Sequence, residues 1–247
     1  MVTRIQFNRE MDELNKDITE MAANARNSID KAVHLIMSGE YYLKDEVKRL
    51  DEEIYEQDRR IEARCMDIIA LYTPVASDLR YIATCLKVIE HLNRIGRYAR
   101  DISEVAEVFE ENRPFKRMSA IPQMAHLVVG MVTDAIDCFV NRDTYQARRL
   151  FDRDDEVDAL YDTIFRDTLT YMMEDSKKIT VGINVILVAR YLERIADHSC
   201  DIGEKVNYMV TGERFTPPKK EQRDQLKSVL PEDVVLHEFH QDELREK

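Results

Sequence analysis

Two short acidic stretches carry the residue types and spacing that could do chemistry. Asp154-Asp155-Glu156-Val157-Asp158 and Glu193-Arg194-Ile195-Ala196-Asp197 each set two carboxylates at i and i+4, which a helix places on one face about 6 Å apart. The surrounding apolar pattern aims that face inward. Steps of three and four run through Ile179, Gly182, Ile186, Ala189, Glu193, Ala196, Cys200 and Gly203, and upstream through Leu150, Asp154, Val157, Tyr161 and Ile164. Asp154, Asp158, Glu193 and Asp197 brought together between two helices would repel one another at low dielectric, so something cationic must sit among them. That cation is either a metal or the arginines nearby, Arg153, Arg190 and Arg194. An all-oxygen donor set selects hard ions such as Mg²⁺, Mn²⁺, Ca²⁺ or iron, and the small side chains of the second stretch leave room for one. Both readings stand on the residues alone.

Other motifs weigh less. His198 follows Asp197 but points about 100° away around a helix, which suits a packing or surface histidine. His237-Glu-Phe-His240 has i, i+3 histidines in a charged segment with little apolar support. Arg59, Arg60, Arg97 and Arg100 could form a phosphate or partner patch, although arginines are ordinary on helix exteriors. No phosphate-binding glycine loop, dinucleotide fingerprint or nucleophile elbow occurs, so the chain is read as a non-enzyme. A ferritin-like di-iron oxidase, the enzymatic rival, needs Glu-x-x-His at i, i+3; that pattern is missing from the chain.

The elements that must position these acids follow from composition. Six glycines and six prolines in 247 residues are about 5%, against the roughly 12% usual for turn-rich proteins. A mainly helical protein is expected, not a sandwich or barrel. A net charge of −12 argues against a nucleic-acid-coating surface. The opening MVTRIQFNREMDE has no apolar core segment, and the longest uncharged stretch, 118–133, contains Pro122 and His126, so a soluble, unexported protein is expected. The four cysteines lack metal-like spacing and sit within apolar helical patterns, which reads as buried thiols in a reducing compartment.

Punctuation at Gly39, Pro74, Arg113-Pro114, Pro122, 174–178 and Gly212 predicts helices over 5–37, 41–72, 75–111, 119–141, 143–173 and 177–211. Thr73-Pro74 reads as an N-cap with proline at the first helical position. Sliding the second half over the first by 103 residues matches Ala32 with Ala135, Tyr42 with Tyr145, Asp51 with Asp154 and Glu53 with Glu156. At an offset of 100, six of thirteen positions are identical between 92–104 and 192–204. The chain is therefore two tandem three-helix bundles: an all-α first repeat over 1–112, a second over 119–213, and a charged tail over 214–247 that reads either as a flexible arm or as a short partner-binding helix around 224–229. The repeat is also an internal control. The positions equivalent to the four acids are Asp51, Tyr55, Asn93 and Arg97, so Arg97 is expected to put its guanidinium where a cation would lie, within reach of Asp101 and Asp51.

Pro74-Val-Ala-Ser-Asp-Leu-Arg80, Leu92-Asn-Arg-Ile-Gly96 and Leu192-Glu-Arg-Ile-Ala-Asp-His198, set in this tandem repeat, resemble the PhoU family over about residues 7–213. The resemblance implies a cytoplasmic regulator, of negative sign, of phosphate transport and homeostasis. It implies a partner in the ATPase subunit of the phosphate ABC transporter, in some bacteria a sensor histidine kinase, and a homodimer peripheral to the membrane through that partner. It also implies a divalent or trivalent ion (iron, Mn, Mg or Zn) held by Asp154, Asp158, Glu193 and Asp197. Tyr55, Asn93 and Arg97 depart from the acidic pattern, so metal is expected in the second repeat only. The rival to this reading is a metal-free helical adaptor for another phosphate permease, in which the acids are docking charges.

Overall fold

In the computed structural model, residues 2–109 and 120–215 are described, and every regular element among them is helical. The first unit is α1 (Val2–Ser38), α2 (Tyr42–Tyr72) and α3 (Ala76–Glu104), which runs into a 3-10 turn at Val105–Phe109. The second is α4 (Ala120–Asn141), α5 (Thr144–Glu174), a 3-10 turn at Ser176–Lys178, and α6 (Ile179–Thr211). The junction near 111–119, the tail with its 224–229 segment, and the His237/His240 pair lie outside the described residues.

The helices end where local chemistry ends them. Gly39, at φ 76°, closes α1 with its N–H on the Leu35 carbonyl at 2.8 Å, and Gly212, at φ 80°, closes α6 on Tyr208 in the same way. The Asp143 carboxylate accepts from the N–H groups of Tyr145 and Gln146, both at 3.0 Å, and starts α5. The α2–α3 corner differs from the expected N-cap. Thr73 is the C-cap of α2 at φ 44°, donating to the Ile69 carbonyl at 3.2 Å; Pro74 stands outside both helices, and Val75 is the extended N-cap of α3. A proline just past a C-cap stops the first helix, and the second begins only after the extended residue. The α-helical part of α3 also ends at Glu104, short of the expected 111.

Within each unit all three helices touch one another, and the units join through α3 on α6 and α1 on α4. One continuous apolar core runs through both units, including Leu14, Ile54, Ile82 and Leu92 in the first and Val128, Phe139, Val188 and Leu192 in the second. This is why α3 and α6 bury more than one stripe: each faces two helices of its own unit and its repeat-related counterpart. Tyr81 of α3 stacks on Phe139 of α4 with centroids 5.4 Å apart, and Tyr98 stacks on Tyr191 at 5.9 Å. The α4 helix is long and apolar enough to cross a membrane by length and composition alone. In the fold its apolar side is core, with Met124, Val128, Met131, Val132 and Phe139 buried. Ile179, expected on the buried seam, is 45% exposed; it is the first residue of α6, at the end of the bundle.

Candidate functional site

The four predicted acids sit on the second unit's α5–α6 pair. Asp154 is half-buried on α5 and Asp158 is exposed one turn later, while Glu193 and Asp197 are half-buried on α6. The arginine reading finds direct contacts: Arg190 donates to Glu193 Oε1 at 2.5 Å, and Arg194 to Asp197 Oδ2 at 3.4 Å. Arg153 turns away, to Asp134 and the Leu127 carbonyl.

Those contacts leave one oxygen of Glu193 unsatisfied. Glu193 Oε2 is buried with no hydrogen-bond partner. Burial, then the charges of Asp197 and Asp158, push the Glu193 carboxyl above its ordinary range, with Arg190 and Arg194 opposing. Burial likewise raises Asp197. A buried acceptor beside two like charges is the feature a cation would satisfy, so the donor chemistry fits a hard ion. As they stand, the four carboxylates do not close into a tight cage. Among the described residues, the His/Cys/Asp/Glu trio whose ligating atoms all lie within 4.8 Å of one another is His91, His198 and Asp201.

The first unit resolves the same position differently. Asp51, the counterpart of Asp154, is a buried carboxylate, its side chain only 5% exposed. Arg97 Nε lies 3.6 Å from Asp51 Oδ1, the contact expected from the repeat, and Arg100 Nη1 lies closer still, 3.2 Å from Oδ2. Helical spacing does not mark Arg100 for this role; it stands where the second unit has Cys200. Asn93, the counterpart of Glu193, donates to Asp58 at 2.8 Å, and Tyr55, the counterpart of Asp158, is 45% exposed. Where the second unit keeps acids, the first has neutral residues and two guanidinium groups.

The comparisons with known proteins cover both units. The model of the PhoU domain matches residues 18–106 and again 121–206. The phosphate-specific transport system accessory protein PhoU homolog of Caulobacter vibrioides is 33% identical over 211 residues, 85% of this chain and 92% of its own. The homolog of the same description from Aquifex aeolicus is 36% identical over 205 residues, 83% and 93% of the two chains. The chain belongs to the PhoU family. The crystal structure of PhoU from Pseudomonas aeruginosa superposes with a TM-score of 0.76 at 32% identity, covering 84% of this chain and all of that one. The phosphate transport system regulatory protein PhoU from Streptococcus pneumoniae shares the fold at a TM-score of 0.79.

This PhoU-family chain holds a second constellation that helical spacing alone does not mark, since His198 has the placement of a packing or surface residue and His91 stands on another helix, 107 residues away. His91 on α3 meets His198 and Asp201 on α6, across the contact between the two units. Burial holds His91 down to about 4, and the hydrogen bond from His198 holds Asp201 below its usual range. A signal was present. At the offset of 100, His91 lies over Tyr191, Tyr98 over His198, and Asp101 over Asp201, so histidine and tyrosine exchange places between the repeats where α3 faces α6.

Proposed function

We propose that this chain is an accessory regulator of phosphate transport and phosphate homeostasis that acts without catalysis, by binding the ATPase subunit of a phosphate ABC transporter or a phosphate-signalling kinase from the cytoplasm. The observation that carries the reading is the end-to-end correspondence of both repeats to accessory proteins so named, 33% identical over 92% of the relative's length. Docking calls for an accessible apolar face, and α5 and α6 supply one. Phe165, Leu169 and Met173 on α5, with Ile179, Ile183 and Leu187 on α6, are between 37% and 87% exposed at helical spacing. The chain acts as a homodimer in this reading, and its sign of regulation is negative.

The same reading keeps a divalent or trivalent ion (iron, Mn, Mg or Zn) on Asp154, Asp158, Glu193 and Asp197, in the second repeat only. The partnerless buried oxygen of Glu193 supports it, and in the first repeat Arg97 and Arg100 take the place of the ion. Bound there, the ion would supply charge neutralisation that holds α5 and α6 at a set spacing, while Arg190 and Arg194 orient Glu193 and Asp197. A metal-free adaptor is favoured by one observation, the direct pairing of those arginines with those acids. The test is binding of the purified full chain to its cognate transporter ATPase, with and without chelator, beside Met173→Asp/Ile183→Asp and Glu193→Ala/Asp197→Ala. The proposal expects binding that the apolar double variant weakens at least about tenfold, and iron or another ion that the acidic double variant loses. Binding indifferent to chelator but weakened by salt selects the metal-free adaptor, and no binding to the transporter or kinase overturns the reading.

A further inference from the structure

Three ligating atoms from both units meet in one small triangle where α3 crosses α6. His91 Nδ1 is 3.1 Å from His198 Nδ1, His91 Nδ1 is 3.6 Å from Asp201 Oδ2, and His198 Nδ1 is 3.5 Å from that same oxygen. Ligands at about 2.0–2.1 Å around a tetrahedral ion are separated by about 3.3–3.4 Å, whereas octahedral packing at that radius gives about 2.9 Å. The three edges scatter around the tetrahedral value. As a hydrogen-bonded set the triangle is incomplete. A single proton on His198 Nδ1 is divided between the His91 nitrogen and the Asp201 oxygen, and a proton on both nitrogens sets two donors face to face. An ion in the centre satisfies all three lone pairs at once.

We propose that His91, His198 and Asp201 form a tetrahedral zinc site, one per chain, with the fourth position open to water. Two imidazoles and one carboxylate are the donor set of open zinc sites, and imidazole excludes the hard ions that suit the all-carboxylate cluster. Both histidine side chains are 14% exposed and Asp201 is 43% exposed, so the site is sheltered yet has a route of entry along the carboxylate. The His198 ring is held by Tyr98, stacked at 5.7 Å and 21°, which limits the rotation a ligand would otherwise lose on binding. The repeat-related set, Tyr191, Tyr98 and Asp101, has no imidazole, which sets the stoichiometry at one. Because one ligand comes from the first unit and two from the second, the ion cross-links the repeats and tightens the α3–α6 contact. None of the three belongs to the carboxylate set of the proposed function, and the site stands or falls independently of it.

The test uses the full chain stripped with chelator and returned to chelator-free buffer. Zn²⁺ is titrated while the imidazole resonances are followed by NMR, and Co²⁺ is titrated in parallel for the visible bands of a tetrahedral ion. One equivalent is expected, with the His91 and His198 resonances shifting together. His91→Gln and His198→Gln should each weaken Zn²⁺ by at least the roughly 10–100-fold that even an outer-shell partner is worth. Absence of stoichiometric binding by the wild-type chain overturns the proposal. So does an ion that leaves both rings silent, which would assign it to the α5–α6 acids, or a folded His91→Gln variant that binds Zn²⁺ as tightly as wild type.

Discussion

Removing the two arginines that face Asp51 is the perturbation that most directly tests the contrast between the repeats. Asp51 is 5% exposed and lies 3.2 Å from Arg100 and 3.6 Å from Arg97. At an effective dielectric near 20, each attraction is worth about 5 kcal/mol gross. Breaking a fully buried pair costs about 3–5 kcal/mol. Here the arginines are 31% and 47% exposed, so water partly replaces them and the loss shrinks. Arg100→Ala should cost about 1–2 kcal/mol, Arg97→Ala about 0.5–1, and the pair together about 2–3. Adding Asp51→Asn to the double variant removes the stranded charge and should restore most of that loss. Urea unfolding followed by far-UV circular dichroism reads the effect, and with a slope of roughly 3 kcal/mol/M the double variant should unfold near 1 M lower. A double variant within about 0.3 M of wild type, or a triple variant no more stable than the double, refutes the account of Asp51 as a buried charge held by guanidinium groups.

Three further outcomes are expected. Burial, aided by Glu62 and Glu90, raises the Asp58 carboxyl against the hydrogen bond from Asn93, so its ionisation opposes folding above that raised value and the penalty is relieved as pH falls through it. Asp58→Asn should therefore be more stable than wild type at pH 7, and equal to it below about pH 4; denaturant midpoints across that range check this, and a difference independent of pH contradicts it. A β-carbon on Gly203 would meet the Ala147 backbone oxygen at 2.9 Å, an atom that cannot step aside, so Gly203→Ala should lose about 1–3 kcal/mol despite better helix propensity. A thermal melt at or above the wild-type midpoint would contradict it. All four cysteines are buried, and burial pushes the Cys138 thiol up to about 12; a thiol-reactive dye should label them only as fast as the chain opens, and rapid labelling of native protein would exclude the packing.

Much of this molecule is legible in the sequence because its determinants are local. Gly39, Asp143 and Gly212 terminate or start helices through contacts within a few residues, and stripes at three- and four-residue spacing mark which faces are apolar. The two offsets, 103 and 100, expose the duplication and predict that Arg97 approaches Asp51. At the α2–α3 corner the same local reasoning fails, because proline is acceptable both at the start of a helix and just past the end of one. Only the backbone shows which helix Thr73 caps.

The six long helices among the described residues, the tandem units and the family are all legible in the chain itself, since periodicity and repeat spacing are written along it. Which charges meet follows from how the helices pack. Arg100 rather than Arg97 makes the closer contact with Asp51, Arg153 leaves the acids for Asp134, and His91 reaches His198 from 107 residues away. A helical pattern tells which side of a rod faces inward. It does not tell the register and crossing of α3 on α6, and a shift of one turn, about 5.4 Å, would carry His91 out of reach of Asp201. Those offsets are set by the continuous apolar core through both units, where close-packed side chains admit one register.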